Sequence, residues 1–548
     1  MRRRRLREVG LIGLTIFLVF TLFPLSSVNA DTSIWFYTPY PQGEIGIATP
    51  EIGWRVFIGE NYLEKAEFII NGKTYIPKYD LERNTFYVKL DFPLKEHIEV
   101  KARIKLKSYD WIEKSWSFAI NKSSITELSI PNLTQQKAMD FANDYRYLMK
   151  LPLFEINPAL NMSAQSHANY QYSIGRLTHY QESNFQAFIG ESVKERAAYF
   201  GFNGFVAEDI SFNTKPSIQK AVDDLFDAPY HRIPFLNPVF DQLGYGEKQY
   251  YSVLNFGSVL QPKEAIFVSY PNDGQLHVPV EWENFETPNP LRFYPNAPKK
   301  VGYPIMAGIY GGEIDSIKLI DAKMFNLSGQ QIPVYINTPE IAVNNTIKPT
   351  PKIDDYLNQE IIIIPESPLV TDSIYKVEVS LQATDKSGST KSYQKTWNFK
   401  TESKIGEGKK WLHEQVEYPS FQEGANSLRL FLGQRYIWLD QRVFPLDIAP
   451  FVINSRTMVP IRAIGNILGA EVDWNNEKRI VTYIKNETMI QIPIDANYVF
   501  VNNKKIPIDQ GAVVKNGRSF VPLRFVSEQL GAEVEWNSST QSIIVLLR

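Results

Sequence analysis

Alternating helix and strand signals in the middle of the chain, β-rich patterning on either side and an internal repeat at the C-terminal end predict a multidomain α+β protein. At 548 residues the chain is too long for one core and divides into three or more domains. A hydrophobic content of 44% with 13% aromatics supports packed globular units over disorder. Lysine plus arginine (58) nearly balance aspartate plus glutamate (60), so nothing global points to a nucleic-acid partner. Cysteine is absent, so the domains must be held by core burial and not by disulfides.

The first thirty residues read as an export signal cleaved near Ala30, in the order basic (Arg2 to Arg5), apolar (LIGLTIFLVFTLFPL) and small (Val28-Asn29-Ala30). No later run approaches the length of a membrane span, so no transmembrane segment is expected in the mature chain. Residues 31–123 predict a small antiparallel β-sandwich, with a hairpin turning at Asn71-Gly72 and KSWSFAI as its closing strand. After a linker ending near Pro131, helical periodicity opens a unit over 133–260, with Phe141, Tyr145, Leu148 and Met149 sharing one face. Asn157 and Pro158 start a second helix that carries Leu160, Ala164 and Ala168 inward. Ser192 and Glu195 form a capping box for a third helix, stopped at Gly201. A fourth runs from about Pro216 to Phe226 and must end before Pro229, after which YYSVLNFG is a strand.

Residues 263–402 return to β signals and end in TWNFKT, much as the first unit ends in SWSFAI; they predict a second, larger sandwich of immunoglobulin-like type. Residues 403–424 are polar and read as a linker or short helix. Within 425–548, NSRTMVPIRAIGNILGAEVDW (454–474) recurs as NGRSFVPLRFVSEQLGAEVEW (516–536). Each copy needs the other to bury its apolar face.

The chemistry concentrates between Thr178 and Gly257. His179 in THY, Glu208 in AEDI and His231 in DAPYHR follow helix ends or begin loops, where side chains can converge on a cleft. Two imidazoles and a carboxylate can bind a divalent metal or pass a proton, and the same three can equally be hydrogen-bonded structural polars. Spacing does not decide between them. Of the other histidines, His97, His277 and His413 lie in segments without nearby acid partners and read as surface or structural, and His167 as a satisfied core histidine.

The run FANDYR, AQSHANY, LTHY, IGESVKERAAYFGF, AEDI, DAPYHR and GYG resembles, in order and spacing, the CAP domain (SCP or PR-1-like) in its compact bacterial form. The resemblance implies an α/β/α sandwich with a central cleft. It also implies that His179, Glu208 and His231 occupy three places of the family's His-Glu-His-Glu cavity, which in some members binds zinc or another divalent cation. The fourth place falls at Ala228, which cannot ligate, with Asp227 beside it as a substitute. Three ligands leave an open coordination position and lower affinity. The terminal repeat resembles the copper amine oxidase N-terminal-like stalk domain, whose TMVPIR and SFVPLR motifs are typical of exported proteins of Gram-positive bacteria. No copper is expected there, because no histidine or cysteine follows His413.

Three functions follow. The chain is a secreted or envelope-associated binding protein, with the cleft holding an extracellular or cell-wall ligand or a divalent metal while the β modules and stalk position it. Alternatively it is a metal-assisted hydrolase of peptide or wall polymer with Glu208 as general base, or a purely structural, adhesive surface protein. No Gly-x-Ser-x-Gly elbow is present and there is no thiol nucleophile. Ala228 in place of a fourth carboxylate favours binding over catalysis.

Overall fold

The computed structural model describes residues 34–546 apart from 59–62, 82, 108, 260–263, 343–349, 409–411, 414–426, 433–435, 440–441, 446–449, 462–463, 466–467, 476–477, 516–517 and 538–541. The expected export signal at 1–30 and most of the 403–424 linker lie outside the described residues.

The N-terminal unit has nine strands: β1 (Trp35–Phe36), β2 (Gly43–Ile47), β3 (Glu51–Phe57), β4 (Leu63–Ile70), β5 (Lys73–Tyr75), β6 (Lys78–Asp80), β7 (Thr85–Lys89), β8 (Glu96–Leu106) and β9 (Ile112–Ile125). They form a sheet β1-β3-β7-β6 and a sheet β2-β9-β8-β4-β5. Inward residues of both, among them Ile52, Trp54, Phe68, Phe86 and Ile98, make one buried cluster. The Asn71-Gly72 turn joins β4 to β5 with both residues at positive φ (46° and 79°), the left-handed pair that a tight hairpin demands.

The central unit contains helices α1 (Leu133–Leu148), α2 (Pro158–Ile174), α3 (Val193–Tyr199), α4 (Ile218–Asp227) and α5 (Pro229–Leu236). Its sheet runs β10-β12-β13-β11, from β10 (Glu155–Ile156), β12 (Gln242–Lys248), β13 (Tyr251–Ser258) and β11 (Phe205–Phe212). The caps are those the sequence signals. The Asn157 side chain accepts from the Ala159 and Leu160 N–H groups, and Ser192 and Glu195 cap α3 reciprocally. Pro229 ends α4 as expected, and also starts α5, a helix the sequence reading left out.

Helices α2 and α3 cover one face of this sheet and α1, α4 and α5 the other. Strand alternation is the reason. Val253 and Ile210 pack with Ala164 and Ala168 of α2, whereas Leu254, Phe256, Leu243 and Tyr245 join Met139, Val222, Phe226 and Phe235. The GYG motif allows α2 to lie directly on the strand. A Cβ on Gly244 would meet the Leu160 carbonyl carbon at 2.1 Å, and one on Gly246 the Gln165 nitrogen at 2.1 Å. Tyr245 between them points into the opposite core.

Residues 265–401 form a sheet ordered Ala265–Tyr270, Ile305–Gly311, Glu360–Pro365, Val334–Thr338, Lys352–Ile353 and another ordered Gln275–Val278, Thr390–Thr401, Ile374–Asp385, Ile314–Asn326. Their core is continuous with that of α1, α4 and α5.

In the C-terminal unit the Val-Pro strands Arg456–Pro460 and Arg518–Pro522 pair antiparallel, with Val459 opposite Val521, its own counterpart in the repeat. The last strand of each copy pairs with the first strand of the other: Ile480–Lys485 with Thr488–Pro493, and Ser542–Leu546 with Ser427–Phe431. The repeat therefore extends beyond the 454–474 and 516–536 segments and closes on itself. One buried cluster serves both copies.

Candidate functional site

Glu208 and Asp209 are consecutive on β11, so their side chains leave opposite faces of the sheet. Glu208 points to α2 and α3 and is almost fully buried. Its Oε2 accepts from Arg196 Nη2 at 2.7 Å, and its Oε1 lies 3.1 Å from His179 Nδ1 and 3.6 Å from His167 Nε2. Asn255 stands opposite Glu208 in the β-ladder, and with its amide turned so that the oxygen accepts from Ser163 and the Ala164 N–H, its nitrogen donates to Oε2 at 3.2 Å. Burial by itself would raise the Glu208 pKa. The Arg196 charge and the neighbouring histidines outweigh it and hold the carboxyl at about 2.

His167 is a hydrogen-bonded core histidine, as expected, with its Nε2 2.7 Å from the Thr178 carbonyl and its Nδ1 3.2 Å from Gln181 Nε2. Those partners fix it as the neutral Nε2–H tautomer, and burial lowers its pKa to about 4. Arg196 is wholly buried and also donates to the Glu191 carbonyl at 2.8 Å. His179, 48% exposed, is the part of this cluster that solvent reaches.

The other face is built differently. Asp209 is buried, and burial pushes its pKa up to about 8. His231 on α5 shares this side. Its Nδ1 is 3.1 Å from Oε2 of Glu286, a residue of the following β unit, and Glu286 also accepts the Tyr230 N–H at 3.2 Å. Burial lowers the His231 pKa, but the Glu286 hydrogen bond and the Asp209 charge reverse the shift, so the net direction is upward. Arg232 is fully buried and donates to the carbonyls of Phe226 and Pro304, both at 2.7 Å, and to the Tyr303 hydroxyl at 3.0 Å. Tyr303 in turn donates to Asp227 at 2.7 Å.

The three residues expected to form a metal set are placed as follows. The structure brings His179 and Glu208 together and places His231 on the other side of the sheet. Ala228 is buried between α4 and α5, and Asp227 is held by Tyr303, so neither completes the set. Among the described residues, no group of three His, Cys, Asp or Glu side chains could hold a metal ion. Arg196 supplies a positive charge beside the Glu208 carboxylate.

His413 is structural, one of the two readings its segment allowed, and its acid partners are distant in sequence. From the 403–424 segment it reaches two buried carboxylates, with Nδ1 2.5 Å from Asp144 of α1 and Nε2 2.7 Å from Asp223 of α4. Its ring packs edge-on against Phe141 and Tyr145. Burial lowers its pKa, but the two carboxylates raise it to about 9. Local sequence could not reveal Glu286 or the His413 partners, since each lies more than fifty positions away. Arg196 follows a recognisable capping box, but nothing in its helix marks it as the partner of Glu208.

Residues 139–260 match the model of the cysteine-rich secretory protein family, and residues 438–545 that of the copper amine oxidase N-terminal domain. No curated protein matches the chain. Among solved structures, an extracellular SCP-domain protein of Bacillus anthracis is similar at 13% identity, covering 41% of this chain and 85% of its own, with a TM-score of 0.21. A cysteine-rich secretory protein of Staphylococcus aureus is similar at 11% identity, covering 42% and 86%, with a TM-score of 0.18. An outer surface protein of Borrelia burgdorferi is similar at 15% identity, covering 24% and 98%, with a TM-score of 0.20. Among the described residues, no helix is long and apolar enough to cross a membrane. The chain thus carries a CAP domain, followed after a β unit by a copper amine oxidase N-terminal domain.

Proposed function

We propose that the chain is an exported, envelope-associated binding and display protein whose CAP domain is not a hydrolase. The observation that carries this reading is the state of Glu208. A general base works best with a pKa near the operating pH, whereas this carboxyl is held near 2 by a buried guanidinium. The second histidine of the family cavity is engaged by Glu286 and serves the junction with the next unit. Export rests on the N-terminal order of basic, apolar and small residues.

The full chain, incubated with cell-wall peptidoglycan and with casein, with and without zinc, is expected to release no product above a Glu208→Gln control. Turnover that is present in the wild type and lost in Glu208→Gln would overturn the reading. Mass spectrometry of the envelope fraction is expected to find an N-terminus at Asp31; an intact Met1 in the cytosol would remove the export part.

A further inference from the structure

We infer that the outer face of the N-terminal sheet β1-β3-β7-β6 is a binding platform for an anionic polysaccharide. The outward positions follow from register. Ile52, Trp54 and Val56 of β3 point into the core, so Glu51, Arg55 and Phe57 point out. Trp35 lies opposite Phe57, Tyr37 stands beside Arg55, and Tyr87 of β7 lies opposite Gly53. Gly53 is where the Tyr40 ring lies down on the sheet, since a Cβ there would meet that ring at 2.4 Å. Trp35, Tyr37 and Phe57 are 49%, 43% and 39% exposed.

Two features point to a sugar chain rather than a protein. The first is composition. Apart from Gly53 and the buried Thr85, the outward side chains of the four strands are aromatic or charged, with no leucine, isoleucine, valine or methionine among them. Protein interface cores are depleted of Lys, Asp and Glu, all of which this face carries among its rings, whereas pyranose rings present C–H faces that settle on the negative face of an aromatic ring while their polar groups meet charged neighbours. The second is charge. Arg83 pairs with both Glu51 and Asp80, at 2.8 and 2.7 Å, so those three together leave one negative charge. Arg55, Lys78 and Lys89 remain on the face as cations. The Arg55 guanidinium lies 4.6 Å above the Tyr37 ring. A guanidinium stacked on an aromatic ring, on a face that also carries Lys78 and Lys89, gives a ring-lined cationic surface that attracts carboxylates or phosphates.

Native gel electrophoresis of the full chain through gels containing polygalacturonate is expected to show retardation that weakens as salt rises. Dextran at equal mass is expected to retard it far less. Trp35→Ala and Tyr37→Ala, both at exposed positions, are expected to weaken retardation about tenfold, and Arg55→Gln to weaken it and to reduce its salt dependence. Trp536→Ala, an exposed tryptophan of the C-terminal unit, serves as the control and is expected to change nothing. Absence of retardation, or retardation equal in all variants, would overturn the proposal. Equal retardation by dextran would overturn its anionic part. Dimerisation of the wild type that Trp35→Ala abolishes would assign the face to a second copy of the chain instead.

Discussion

The two faces of the CAP sheet carry the same ingredients, a histidine beside a buried carboxylate, and use them differently. On the α2/α3 face, Glu208 is satisfied entirely from within the domain by Arg196, His179 and Asn255. On the α1/α4/α5 face, His231 and Arg232 take partners from the β unit that follows, and Asp144 and Asp223 receive His413 from beyond it. One face is an internal charge cluster with a solvent edge at His179, and the other is a joint. The difference teaches that a histidine's partner is set by which unit packs against its face: His179 meets a carboxylate of its own domain, His231 one of the unit that follows.

The largest effect that tests this contrast is expected at Arg196. Replacement by methionine leaves the Glu208 charge buried without its cation, and loss of one partner of a buried pair costs about 3–5 kcal/mol. Urea unfolding followed by tryptophan fluorescence measures it. A change below about 1 kcal/mol would mean that solvent or His179 neutralises Glu208, and the first face would not be self-contained.

A smaller effect is expected across the joint. Single and double variants of His231→Ala and Glu286→Gln, compared in a double-mutant cycle, are expected to couple by about 0.5–3 kcal/mol, the range for contacting residues. The same cycle on His231→Ala and Glu208→Gln is expected to show additivity, because the sheet separates the two. Coupling in the second cycle and not in the first would reverse the assignment of His231 to the joint.

The pH dependence of the joint should be milder and has a definite sign. The folded-state pKa of His413 is raised to about 9 from an ordinary value near 6.5. Its stabilising contribution is complete below about pH 6.5 and is lost as pH rises through 9. The wild-type melting temperature is expected to fall between pH 6.5 and 9.5 by more than that of His413→Gln. Parallel profiles for the two proteins would show that the His413 proton does not hold the segment in place.

The smallest expected effect is with zinc. Calorimetric titration of the full chain is expected to give no stoichiometric binding, and His179→Ala and His231→Ala to match the wild type. Saturable binding that both substitutions abolish would restore the three-residue site and erase the contrast between the faces.

Much of the central fold was legible because its signals are local. The Asn157 cap, the Ser192–Glu195 box and the Pro229 stop act within one helical turn, and the structure shows each where the sequence places it. The α5 helix was missed because a proline that stops one helix is equally suited to begin another. The terminal repeat was seen only where its copies remain alike. Strand pairing reveals the rest, because a pseudo-two-fold depends on backbone geometry more than on identical side chains.

The sequence by itself determined which side chains are available for chemistry, where α2 and α3 begin and α4 ends, and that the two Val-Pro segments belong to one repeating unit, since these depend on residue type and near-neighbour spacing. Only the tertiary structure decided which side chains meet. Glu208 and Asp209 are adjacent in the chain, yet β pleating sends one to Arg196 and the other toward His231. His231 meets Glu286 and His413 meets Asp144 because two folded units and a connecting segment come together there, and that placement depends on the whole apolar surface each buries.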